Sequence, residues 1–84
     1  MPSGGATAIA VIWDPRRREP KAFLWHMRRW RIERVVESWV IDTGWWSSDI
    51  RVSRRYSRVL ADGRLFDLYF DRLTKLWFLE RALN

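Results

Sequence analysis

The segment Tyr56–Leu83, YSRVLADGRLFDLYFDRLTKLWFLERAL, limits what this chain can fold into more than any other part of it. Aromatic and aliphatic residues recur there at alternate positions, the period of a half-buried strand. Two polar breaks divide the segment. The first, Ala61-Asp62-Gly63-Arg64, holds an Asp-Gly dipeptide, which suits the two left-handed positions at the centre of a tight hairpin turn. The second, Asp71–Lys75, is a longer polar turn. Three antiparallel strands are the expected result, with Leu65–Phe70 and Leu76–Leu83 as the last two.

The same period reaches back towards the N-terminus. Thr7–Trp13 sets Ile9, Val11 and Trp13 against Ala8, Ala10 and Ile12, as a buried strand does. Asp14–Lys21 (DPRRREPK) reads as an exposed loop, because Pro15 and Pro20 lack the amide a central ladder needs. Ala22–Met27 reads as a second strand with Phe23, Trp25 and Met27 on one face, and Arg28-Arg29 falls where its turn belongs. Trp30–Ile41 fits a strand that is bent or bulged near Val35-Val36, where the alternation slips by one. A helical turn over Arg34–Trp39 is the alternative there. Asp42-Thr43-Gly44 breaks the pattern, and Ile50–Leu60 resumes it. The expected architecture is all-β, a small antiparallel meander or SH3-like barrel of about five to six strands. An α+β arrangement with one short helical turn is the second choice. Residues 1–6 read as a disordered lead-in to a single small β-domain over residues 7–84.

Composition narrows the chemistry. A chain of 84 residues buries only roughly 60–65% of its unfolded surface, so it needs dense packing or a staple. There is no cysteine, and His26 is the sole histidine, so neither a disulfide nor a structural zinc has a ligand set. Seven Trp, four Phe and two Tyr supply the apolar surface instead. Met1–Thr7 has no signal-peptide character, and the longest apolar run, Ala8–Trp13, is too short to cross a bilayer. A soluble, cytoplasmic chain with no membrane partner is expected.

The net charge of +6 is unevenly placed, and this directs the functional reading. Arg16–Arg34 has eight basic residues against Glu19 and Glu33, and Arg51–Arg58 has four with no acid. Arg forks phosphate and stacks on aromatic rings, so DNA or RNA is a candidate partner. Arg51, Arg54, Arg55 and Arg58 are the first phosphate candidates, with Arg54 and Arg58 sharing the face of Tyr56 and Arg51 and Arg55 on the other. Trp45 or Trp46 would stack a base beside them, since adjacent strand residues point to opposite faces and one is left out of the core. Against this, both indoles can simply pack. Arg16, Arg17 and Arg18 form a second contact in the first loop, or a merely solvated loop. Asp67, Asp71 and Glu80 read as turn and salt-bridge residues of Arg64, Arg72 and Arg81 rather than a catalytic pair. His26 stands alone on the surface. No residue constellation spells out a reaction, so a non-enzymatic module with no cofactor is expected.

The run Gly44-Trp45-Trp46, followed by RRYSRVLADGRLFDLYFDRLTKLWFLERAL from Arg54, resembles a bacterial family of small domains of unknown function. Phe23-x-Trp25 and Trp30-x-Ile32-x-x-Val35-x-x-x-Trp39 are similar to its stand-alone members. The resemblance covers roughly residues 20–84, with Arg54–Leu79 its specific part, and Met27-Arg28 departs from it where a glycine turn is expected. A similar segment closes the C-terminal region of ImuB-like proteins, inactive relatives of Y-family DNA polymerases. The resemblance implies a DNA-repair or translesion setting and a binding role. ImuB-like proteins act as adaptors, so docking a repair polymerase or other protein through a strand edge or Trp patch is the alternative function, with the chain a monomer or homodimer. The chain has no Gln and therefore no clamp-binding peptide of the Gln-x-x-aliphatic-x-aromatic kind.

Overall fold

The Asp62-Gly63 turn sets the frame of the whole sheet. Both residues are left-handed, with φ of 51° and 73°, and they pair Ala61 with Arg64 across a two-residue hairpin. The structure is a computed structural model that describes residues 5–43 and 51–83. Six antiparallel strands follow one another round a closed barrel: β1 (Thr7–Asp14), β2 (Glu19–Trp25), β3 (Arg28–Asp42), β4 (Ser53–Ala61), β5 (Arg64–Asp71) and β6 (Leu76–Leu83). Each pairs with the next, and β1 closes on β6 through Thr7↔Leu79, Ala8↔Phe78 and Ile9↔Trp77. Closure removes most free edges, which a small cysteine-free sheet needs to stay out of aggregates. The all-β barrel expected from alternation is therefore the fold. Arg34–Trp39 is strand, not a helical turn, and no described residue is helical.

Two further turns share one device. Asp14 and Asp71 each open a four-residue loop, and each uses its Oδ1 to accept backbone N–H groups two and three residues on. The loops close through Arg18 N–H to Asp14 O at 2.8 Å and Lys75 N–H to Asp71 O at 2.7 Å. Aspartate does this in turns generally. The first loop is shorter than its prolines suggest. Pro20 lies inside β2, paired with Trp13 at a register shift. On its other side β2 meets β3 only from Ala22 onward, so the missing amide faces no ladder.

The β2–β3 turn is His26-Met27, not Arg28-Arg29, because Trp25 pairs directly with Arg28. Met27 therefore leaves the inward face that alternation assigns to it and is fully exposed. The His26 ring stacks on Trp25, with centroids 3.9 Å apart and planes at 22°. His26 and Met27 have φ of 54° and 60°, a conformation that costs a side-chain-bearing residue about 1–2 kcal/mol. Met27→Gly is thus expected to raise stability by about 1 kcal/mol, read as a higher urea midpoint at unchanged slope. A lowered midpoint would show that the Met27 side chain has a packing role.

β3 bulges at Glu33 and again at Val36, where its register with β4 shifts between Ile32 and Arg34 and between Val35 and Glu37. The bend expected at Val35-Val36 is therefore present, and a second accompanies it. These bulges turn β3 away from β2. The core lies within the barrel: Phe23, Trp30, Val59, Ala61, Phe66, Leu68 and Leu79 are buried, with Ile9, Val11, Trp25, Ile32, Val35 and Trp77 packed against them. One end is sealed. There Trp30 donates from Nε1 to Trp25 O at 3.2 Å, and Arg28 lies over its ring at 3.8 Å.

Candidate functional site

In an antiparallel meander the connections alternate between two ends. The β1–β2 turn, the β5–β6 turn and the hydrogen-bonded pair Thr43 and Val52 beside the ends of β3 and β4 all fall at the end opposite Trp30. Here the inner wall changes character. The cross-strand row Val35–Val59–Phe66 is apolar, the next begins Ser38–Ser57, and the one beyond begins Val40–Arg55 before reaching Phe70 and Trp77. Polar groups facing inward cannot complete an apolar core, and β2 has parted from β3 along this stretch. The result is a cleft of about 470 Å³, within the range of ligand sites. Val35, Ser38 and Ser57 form its floor, Phe70 and Trp77 one wall, and Trp13, Arg18, Glu19 and Pro20 another, with Arg55 reaching in from β4.

The rings form a ladder. Trp77 lies 6.1 Å from Trp13 and 5.4 Å from Phe70 between centroids, both pairs tilted. Trp13 keeps 42% of its surface exposed. Among the described residues neither Arg18 nor Arg55 has a carboxylate within salt-bridge distance. The cleft therefore holds two guanidinium groups that make no salt bridge among the described residues, one carboxylate, Glu19, and a partly exposed indole. A shallower depression at the sealed end, lined by Arg28, Arg29, Arg31, Glu33 and Asp62, has no ring in its lining, and Arg28 is neutralised there by Asp62 at 2.6 Å.

The candidate residues of the sequence do not form one face. Arg18 and Arg55 meet in the cleft; Arg16 and Arg17 are exposed on the same turn, and Arg51 is exposed just before β4. Arg54 and Arg58 lie on the outer face of the barrel with Tyr56, as strand parity requires. There the cross-strand row Trp39–Tyr56–Tyr69–Phe78 brings four rings together at successive centroid distances of 5.1 Å, the outer two pairs stacked and the middle pair tilted at 43°. The Arg54 guanidinium lies 4.6 Å above Tyr69 and donates to the Tyr56 hydroxyl at 3.4 Å, which donates in turn to Glu80 Oε2 at 3.3 Å. Burial pushes the Tyr69 phenol above its ordinary pKa.

Arg58 is engaged within the protein. Its Nε and Nη2 donate to the two oxygens of Asp67 at 2.8 and 3.0 Å, and Arg81 Nε adds a third bond at 3.3 Å. Asp67 is completely buried. Burial alone would raise its pKa, but the hydrogen bonds from Arg58 and Arg81 outweigh burial and hold the carboxyl below the ordinary range. The salt-bridge role expected for Asp67 is present with Arg81, while Arg64 lies instead over Trp30 and Phe66. Asp71 serves its turn. Trp45 and Trp46 lie outside the described residues. No group of three His, Asp or Glu among the described residues is placed to hold a metal ion, and no helix among them is long and apolar enough to cross a membrane.

Sequence reasoning missed Trp13, Phe70, Trp77 and Glu19 as cleft residues. The available signal was topological: each stands at a strand terminus next to a turn at this one end, which a meander brings together.

Residues 8–84 match the family described as a domain of unknown function, DUF6504, and the chain belongs to that family. No curated protein matches the chain, and no solved structure does.

Proposed function

We propose that this member of the DUF6504 family is a small, non-enzymatic module that binds single-stranded DNA or RNA at the open end of its barrel. The observation that carries this reading is the meeting of Arg18 and Arg55, neither in a salt bridge among the described residues, with Trp13, Phe70 and Trp77 in one cleft. Arg side chains meet phosphates while bases stack on indole faces, the combination that single-strand binders use. A duplex keeps its bases stacked inside and cannot offer one to an indole face such as that of Trp13, so an unpaired strand fits better. Arg16, Arg17 and Arg51 extend positive charge around the rim. A DNA-repair or translesion setting rests on the resemblance of Arg54–Leu79 to the segment that closes ImuB-like proteins.

A second reading has its own observation. Among the described residues β3 pairs with β2 over Arg28–Arg31, and from Ile32 to Ile41 only β4 pairs with it. That leaves the other edge of this stretch open among the described residues, beside exposed Val36, Val40 and Ile41. A protein strand could add there.

One experiment separates the two. Fluorescence anisotropy of labelled single-stranded oligonucleotides is expected to show micromolar binding that weakens steeply with salt. In the double variant Arg18→Glu/Arg55→Glu the salt slope should fall by about 0.7 for each phosphate that the protein no longer neutralises. Absence of binding even at low salt, together with a light-scattering mass of two chains, would favour the strand-edge reading instead.

A further inference from the structure

Glu19 is the cleft residue that phosphate binding leaves unexplained. A carboxylate repels a polyanion, yet this one lines the same cavity as Arg18 and Arg55. It is only partly exposed, and among the described residues it makes no salt bridge. Its position is well defined: it opens β2 paired with Asp14, and the buried Pro20 follows it with a ring-fixed φ. A carboxylate in an aromatic-walled cleft that makes no salt bridge among the described residues is an acceptor for a group that presents two adjacent donors.

Deepening the nucleic-acid reading, on which the inference rests, we propose that the cleft selects guanine, with Glu19 reading its Watson–Crick edge. Guanine carries N1–H and the N2 amino group side by side, a spacing that matches the two oxygens of one carboxylate. The other bases do not. Adenine and cytosine set a ring-nitrogen acceptor next to their amino group, and thymine and uracil set carbonyls on both sides of N3–H, so each turns a lone pair towards Glu19. Guanine also presents O6 and N7 as a pair of acceptors, the arrangement that an Arg fork meets best. The cleft holds one carboxylate, two guanidinium groups and an exposed indole. It therefore matches guanine on its donor edge, its acceptor edge and its ring face, with the second Arg left for phosphate. Unstacked bases in single strands expose all of these edges at once.

The test uses nine-nucleotide oligothymidylates whose central base is guanine, adenine, cytosine or thymine, titrated at one fixed low salt while Trp emission is followed. The guanine probe is expected to bind about tenfold tighter than the thymine probe. Glu19→Gln should abolish most of that preference by weakening the guanine probe while leaving the thymine probe as tight or tighter, since one repulsive charge is gone. The variant's unfolding midpoint should match that of the native chain, because the Glu19 side chain makes no salt bridge among the described residues and its backbone pairing with Asp14 is unchanged. Guanosine monophosphate competing better than adenosine monophosphate would support the same pocket with a free nucleotide as its source. Equal, salt-sensitive binding of all four probes would overturn the guanine inference and leave nucleic-acid binding standing. A guanine preference that survives Glu19→Gln would remove Glu19 as the reader. Failure of every probe to bind would overturn the inference together with the reading beneath it.

Discussion

Phe66→Ala is expected to cost about 3–5 kcal/mol of folding free energy and to leave the protein partly unfolded at room temperature. Phe66 is completely buried on β5. Its ring meets Phe23 edge-on at 5.2 Å, Trp30 at 5.0 Å and Trp25 at 5.8 Å, so one side chain joins residues of β2, β3 and β5. These rings are rigid and stacked against one another, and they cannot collapse into the space a phenyl group leaves. The loss compares with a total stability of about 4–13 kcal/mol for 84 residues at the usual amount per residue. Urea unfolding followed by Trp emission measures it. Leu73→Ala, on the exposed β5–β6 turn, is the control and should change stability by no more than about 0.5 kcal/mol. A cost for Phe66→Ala below about 1 kcal/mol would show that the Trp30 end of the core repacks freely. Oligonucleotide binding should fall only in proportion to the unfolded fraction, because Phe66 lies at the sealed end and does not line the cleft.

Much of the sheet is legible in the sequence, and the reason is geometric. Once Asp62-Gly63 is a two-residue turn, every pair on β4 and β5 follows by stepping away from it: Val59 with Phe66, Arg58 with Asp67, Tyr56 with Tyr69, Arg54 with Asp71. Period-two alternation then assigns faces, which is why Arg54 and Arg58 fall with Tyr56 and apart from Arg55. The same register, followed through, pairs Arg58 with Asp67 and so withdraws Arg58 from the phosphate candidates. Other features carry no local signal. His26-Met27 has none of the Gly, Asn or Asp that left-handed turns favour, so the sequence places the turn two residues late. Only the departure at Met27-Arg28, where related chains are expected to hold glycine, hints at it. The cleft depends on a non-local event, the parting of β2 and β3 after Ala22↔Arg31. It involves bulges at Glu33 and Val36 and a proline at position 20, which lie on two different strands and act together only once the sheet has formed. Aromatic richness alone does not say which rings seal the barrel and which line its mouth.

Asp67→Asn is expected to destabilise the protein by about 3 kcal/mol at neutral pH and to remove part of its acid sensitivity. The outer row Glu37–Arg58–Asp67–Arg81 alternates in sign across β3 to β6, and Asp67 is its one fully buried member. Its carboxylate accepts three charge-assisted bonds, so an amide in its place satisfies at most part of the Arg58 fork and turns a donor towards it. The pH dependence follows from the direction of its pKa. In the unfolded chain Asp67 titrates near the ordinary value of about 3.9, and in the folded protein it titrates lower. The unfolded state thus takes up this proton first as pH falls. The stabilisation is fully present above about pH 4–5 and is lost as pH drops towards the folded pKa. Native and Asp67→Asn proteins should therefore differ by a constant amount from pH 7 to about pH 5 and converge below it, the gap closing by at most about 1.4 kcal/mol per pH unit. Taking the difference between the two cancels the other carboxylates, which titrate in both. Curves that stay parallel into strong acid would mean that Asp67 titrates alike in the folded and unfolded states, so that Arg58 and Arg81 do not hold its charge, and Arg58 would then return to the set of cations available to a ligand.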